Sequence, residues 1–112
     1  MNKLVLLKNS QDFSRFQGSR PFYTTALKLR IAVNTNQNKP RFGFIVPKKV
    51  FPKVVDRNKI KRRLKTLFLK HQQQLKPLDL LVFPGKKALF LRFPDLEREF
   101  LTLSGKANLW KR

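Results

Sequence analysis

The sequence predicts an α+β fold, a two-layer sandwich with helices packed on one small sheet. Three observations predict it. Segments with apolar residues at every second position come early in the chain, a long segment with helical spacing follows them, and an apolar strand then precedes a proline-initiated amphipathic segment.

The elements follow in order. Residues 10–16 read as a short helix. Ser10 can cap it, Asp12 suits the positive end of the helix dipole, and Phe13 and Phe16 share one face before Gly18 stops it. Over residues 22–33 the period becomes two. Leu27, Leu29, Ile31 and Val33 point one way, and Lys28, Arg30 and Ala32 the other. A polar connector over 34–40 leads to a second strand over 41–47, with Phe42, Phe44 and Val46 on one face and Arg41, Gly43 and Ile45 on the other. Two strands joined by a connector of this size suggest an antiparallel hairpin.

Residues 48–53 form a loop holding Lys48, Lys49, Phe51, Pro52 and Lys53. A long helix is expected from Asp56, as its cap, to about Leu75, where Lys76-Pro77 ends it. Ile60, Leu64, Leu67, Phe68, His71 and Leu75 form one apolar stripe, while Asn58, Lys61, Arg62 and Lys65 fall on a different arc. Residues 78–83 read as a buried strand stopped by Pro84-Gly85. A last helix opens at Pro94, with Asp95, Glu97 and Glu99 near the positive end of its dipole. The basic tail over 106–112 reads as loose, with Trp110 as its anchor.

Composition narrows the function. The chain has 112 residues, the length of one domain, and 26 Lys+Arg against 6 Asp+Glu give a formal net charge of +20. Such an excess calls for a polyanion, either nucleic acid or an acidic membrane surface. There is no cysteine and a single histidine, so thiolate and histidine metal clusters are excluded. No apolar run approaches the ~18 residues of a membrane span. The apolar stretch over 4–7 is shorter than the ~7 residues a signal peptide needs, so a cytoplasmic protein is expected.

Residues 47–65 are dense in Lys and Arg, which neutralise phosphates and release condensed counterions. Arg57 and Arg62 add bidentate phosphate contacts or stacking on exposed bases. Asn58 can bond to a base edge, a 2′-hydroxyl or the backbone. Phe22, Tyr23 and Phe51 are further stacking candidates, although burial is the commoner fate of aromatics. No catalytic cluster is visible. Two-metal nucleases need gathered carboxylates, and residues two apart on a helix do not face each other. His71 lies on the apolar stripe and reads as a core histidine.

Arg41-Phe42-Gly43-Phe44-Ile45-Val46-Pro47-Lys48-Lys49, followed by Arg57-Asn58-Lys59-Ile60-Lys61-Arg62, resembles the bacterial ribonuclease P protein family. Its signature is R-x-G-x-x-V-x-K-K and then R-N-R-x-K-R at the start of a long helix. The resemblance covers nearly the whole chain. It implies an α-β-β-β-α-β-α order around a central mixed sheet, with a left-handed βαβ crossover. It also implies the non-catalytic protein subunit of an RNA-based endonuclease that removes the 5′ leader of precursor tRNA. The active site and its Mg²⁺ would belong to the ribonuclease P RNA, with no cofactor on the protein alone, and neither DNA nor membrane would be a partner.

Residue by residue, the resemblance assigns Arg57, Asn58, Lys59, Lys61, Arg62 and Lys65 to the RNA subunit. Phe13, Phe16, Lys28, Arg30, Lys48 and Lys49 fall to the leader. Lys59 replaces the usual Arg and loses planar bidentate bonding. Val54 stands for the usual Ala. Gln17 occupies the usual second-aromatic position, leaving Phe16 as either a leader contact or core. The rival readings are a ribosomal protein, a DNA-binding module and a membrane-surface protein.

Overall fold

The computed structural model describes residues 5–6, 20–33 and 40–110. The helix expected over 10–16, with Phe13 and Phe16, lies outside the described residues, as does the connector up to residue 39.

Among the described residues five strands make one mixed sheet: β1 (Val5–Leu6), β2 (Phe22–Tyr23), β3 (Leu27–Val33), β4 (Arg41–Phe44) and β5 (Leu78–Pro84). Their spatial order is β1-β4-β5-β3-β2. β1, β4 and β5 run parallel to one another, and β3 is antiparallel to both β5 and β2. Among the described residues three helices accompany the sheet: α1 (Val54–His71), α2 (Lys86–Phe90) and α3 (Phe93–Lys106). The expected α+β sandwich is therefore present, with α1 joining the parallel neighbours β4 and β5.

The alternation read from the sequence places the side chains. Leu27, Leu29, Phe42, Leu80 and Val82 from one sheet face are buried against Ile60, Leu64, Leu67 and Phe68 of α1 and Leu96, Phe100 and Leu103 of α3. Phe68 sits at the centre. Its ring stacks on Phe42 at 3.8 Å and meets Phe100 edge-on at 5.0 Å. The opposite face carries a small second cluster of Leu81 with Ala32, Ile45 and Phe83.

Several expectations are corrected. β3 and β4 do not pair as a hairpin, because β5 lies between them. Leu80, Leu81 and Val82 are buried on both faces, and the strand with most apolar surface takes the centre of the sheet. The strand expected over 22–33 is itself a tight hairpin. It breaks at Thr24-Thr25-Ala26, where the Thr24 amide donates to the Leu27 carbonyl at 2.9 Å. α1 begins at Val54, with Lys53 rather than Asp56 at the cap position, and Asp56 falls in the first turn, where it still meets the positive dipole end. The helix ends at His71, and a 3₁₀ turn, Gln72–Gln74, carries the chain to Leu75.

The tail is docked through residue 110. Asn108 adopts a left-handed φ of 55° past the end of α3, which turns the chain back. Leu109 is then buried, its carbonyl accepts from the Lys76 amide at 2.7 Å, and Trp110 bridges to Leu75. The acids of α3 bond to particular groups rather than serving the dipole alone. Glu99 Oε1 accepts from the Ala26 amide at 2.8 Å, which clamps the β2–β3 turn. Glu97 accepts from Lys70 at 2.7 Å and from His71 Nε2 at 2.9 Å, joining α3 to α1.

Candidate nucleic-acid interface

The basic loop between β4 and α1 is held from two sides. The amides of Val50 and Phe51 both donate to the Pro47 carbonyl, closing a turn that carries Lys48 and Lys49 at its exposed apex. Phe51 is driven into the core, so it is an anchor and not a stacking surface. Arg57 reaches back from the first turns of α1, and its Nη1 donates to the carbonyls of Phe51 at 2.8 Å and Pro52 at 3.0 Å. One guanidinium edge therefore ties the loop to the helix.

Along α1 the 3.6-residue period separates two sides. Ile60, Leu64, Leu67 and Phe68 are buried, and Asn58, Lys61, Arg62 and Lys65 are exposed together. Lys59 lies half-buried at the margin. Arg63 turns the other way, donating from Nη1 to the Leu91 carbonyl at 2.8 Å and bracing the link between α2 and α3. The exposed members form a polar, largely cationic ridge on a helix whose other side is held by the apolar stripe.

The sheet face away from α1 and α3 carries the other candidates. Lys28 and Arg30 alternate away from the main core, as the period of two predicts. Register places Lys28 opposite both Phe83 and Tyr23, and the Lys28 ammonium stands 4.7 Å from the Phe83 ring centroid. Tyr23 is 55% exposed and Phe22 is packed on the core, so of this pair only Tyr23 offers a ring to a ligand. Tyr23, Lys28 and Phe83 line one shallow cavity of about 170 Å³. Sequence reasoning missed Phe83 because it read 78–83 as wholly buried. Its alternation with Leu80 and Val82 was the available signal.

Arg41 was also missed as a partner of Asp79. The two form a bidentate pair, Nε to Oδ1 at 2.8 Å and Nη2 to Oδ2 at 2.7 Å, across directly opposed positions of β4 and β5. Asp79 is fully buried, and a buried carboxylate is tolerated only when its charge is matched. The pair fixes the register of the two strands that the basic loop and α1 connect.

Among the described residues no group of three or more His, Cys, Asp or Glu side chains could hold a metal ion. His71 is packed near Phe100 and Trp110 with Nε2 on Glu97, which fits its reading as a core histidine. The hydrogen bonds from Lys70 first, and then from His71, hold the Glu97 carboxyl below the usual carboxylate range. Among the described residues no helix is long and apolar enough to cross a membrane.

The ribonuclease P family model matches residues 1–108. The ribonuclease P protein component of Pseudoalteromonas atlantica is 38% identical over 97 residues, covering 87% of this chain and 75% of that protein. That of Natranaerobius thermophilus is 29% identical over 113 residues, with 100% and 97% covered. That of Stutzerimonas stutzeri is 33% identical over 84 residues, and the match covers 75% of this chain but only 60% of the relative. The fold is similar to that of Staphylococcus aureus RNase P protein, with a TM-score of 0.87 at 22% identity and 97% and 100% of the two chains covered. It is also similar to RNase P protein from Thermotoga maritima, with a TM-score of 0.73 at 23% identity and 84% and 88% covered. With the family model spanning nearly its whole length, the chain belongs to the ribonuclease P family.

Proposed function

We propose that the chain is the protein subunit of ribonuclease P, binding the catalytic RNA through α1 and the 5′ leader of precursor tRNA through the sheet face and the basic loop. One observation carries this reading. Asn58, Lys61, Arg62 and Lys65 are exposed as a group on a helix whose other side is buried, directly after a loop that presents Lys48 and Lys49. Lys59 lies at the edge of that ridge. A fixed row of cations neutralises phosphates without ordering the backbone anew, so little conformational entropy opposes binding.

The leader reading is supported by Tyr23, Phe83 and Lys28. A ring and a cation side by side suit an unpaired base and its phosphate, and such stacking tolerates many sequences. Arg30 shares the face, and Phe13 and Phe16 are proposed as further leader contacts. The protein screens repulsion between two polyanions, while cleavage and Mg²⁺ belong to the RNA. The same reading places the protein in the cytoplasm, with neither DNA nor membrane as partner.

Reconstitution tests this directly. The purified protein is mixed with a bacterial ribonuclease P RNA at low Mg²⁺, and leader release from precursor tRNA is followed. Cleavage that needs both components is expected. Tight RNA binding without any enhancement over RNA alone would overturn the reading in favour of a ribosomal protein.

A further inference from the structure

The most exposed aromatic among the described residues is unused by the assignments above. Phe90 ends α2 and is 80% exposed, while the neighbouring Ala88 and Leu89 pack inward. Beside it lies a cavity of about 280 Å³ between α2 and the start of α1, walled by Val50, Pro52, Asp56, Lys86 and Phe90. Its lining residues are apolar except for Asp56 and Lys86. Lys53 and Lys87 are exposed on the adjoining residues. An aromatic left in water inside a strongly cationic surface calls for an occupant that is both flat and anionic at its edges.

Unpaired nucleotides meet both demands. The ring face of a base stacks on an aromatic side chain, and its phosphates seek lysines. The carboxylate then selects among bases, because it only accepts hydrogen bonds. Guanine offers two adjacent N–H donors on its Watson–Crick edge, adenine and cytosine each offer an amino group, and uracil sets its lone N–H between two carbonyls that a carboxylate repels.

We propose that this cavity binds one unpaired nucleobase, guanine in preference to the others, with Phe90 stacking on the base, Asp56 accepting its N–H donors and Lys86 meeting a flanking phosphate. The site rests on the reading of the chain as an RNA-binding subunit and extends it to a surface beyond the sheet face and the α1 ridge. The nucleotide comes from the precursor leader or from the catalytic RNA, and the chemistry is the same for both.

The test uses the full chain and fluorescence anisotropy with short single-stranded oligouridines, with and without one central guanosine. The guanosine is expected to tighten binding by about tenfold. Asp56→Asn should erase that preference while binding oligouridine at least as well. Phe90→Ala should weaken both RNAs by about fivefold or more and leave the salt slope unchanged, with circular dichroism confirming the fold and Phe90→Tyr restoring affinity. Equal binding of both RNAs by the wild type, or wild-type affinity in Phe90→Ala, overturns the proposal. So does self-association in sedimentation that Phe90→Ala abolishes while RNA binding stays intact, since the ring would then be a protein contact. In the holoenzyme, a Phe90→Ala defect confined to long-leader precursors assigns the base to the leader. A defect in binding the RNA subunit alone assigns it there, and a defect in neither removes the site from the assembly. Failure of the wild type to promote leader release overturns the subunit reading and leaves the oligonucleotide result standing.

Discussion

Arg57 and Arg62 lie five residues apart in a cationic run, and their surroundings set them to different work. Arg57 donates to two carbonyls of the loop, whereas Arg62 is exposed on the ridge. Arg57→Ala should cost about 1–2 kcal/mol of stability through the lost charged hydrogen bonds, read as a lowered Tm. Arg62→Ala should leave Tm unchanged and lower the salt slope of RNA binding by about one unit or less. Glu97 allows a prediction in pH. Its folded value lies below its unfolded one, so its contribution is full above the usual carboxylate range and is lost as pH falls through the folded value. Glu97→Gln should therefore cost about 1 kcal/mol or less at neutral pH, since Lys70 is exposed, and its stability curve should meet the wild type's in acid. Denaturant titrations across pH check this.

At the scale of elements, α1 does two jobs by its period. Phe68 packs on Phe42, Phe44 and Phe100, tying the helix to both the sheet and α3. Phe68→Ala should cost about 3–5 kcal/mol through the cavity it leaves. RNA binding should weaken with it, because the cation ridge loses its fixed backbone. Denaturant unfolding and RNA affinity measured on the same sample would show whether the losses run together. This two-sided character was legible in the sequence, since buried and basic positions fall on different arcs of one helix. α2 was not legible. Five residues with two lysines have no period to read, and only packing against α1 makes them a helix.

For the whole molecule, a net charge of +20 makes RNA binding a matter of counterion release. Replacing Lys48 and Lys49 together with Ala should lower the salt slope of precursor binding by about two units at most while leaving the fold intact, because both side chains stand clear of the core. Equal slopes for variant and wild type would remove the loop from the RNA contact.

The sequence by itself determined which positions of β3, β4 and α1 face the core and which face away, and its charge called for a polyanionic partner. Those properties depend on the period of each segment and on summed charge, and both are local. Only the tertiary structure decided which strands are neighbours. β5 lies seventy-eight residues into the chain by its first position, yet it takes the place between β3 and β4, because burial on both faces outweighs nearness along the chain. The division among the arginines was decided in the same way. Arg41 is matched to buried Asp79, Arg57 and Arg63 to backbone carbonyls, and Arg62 is left on the ridge, since a guanidinium's partner is whatever acceptor folding brings within its reach.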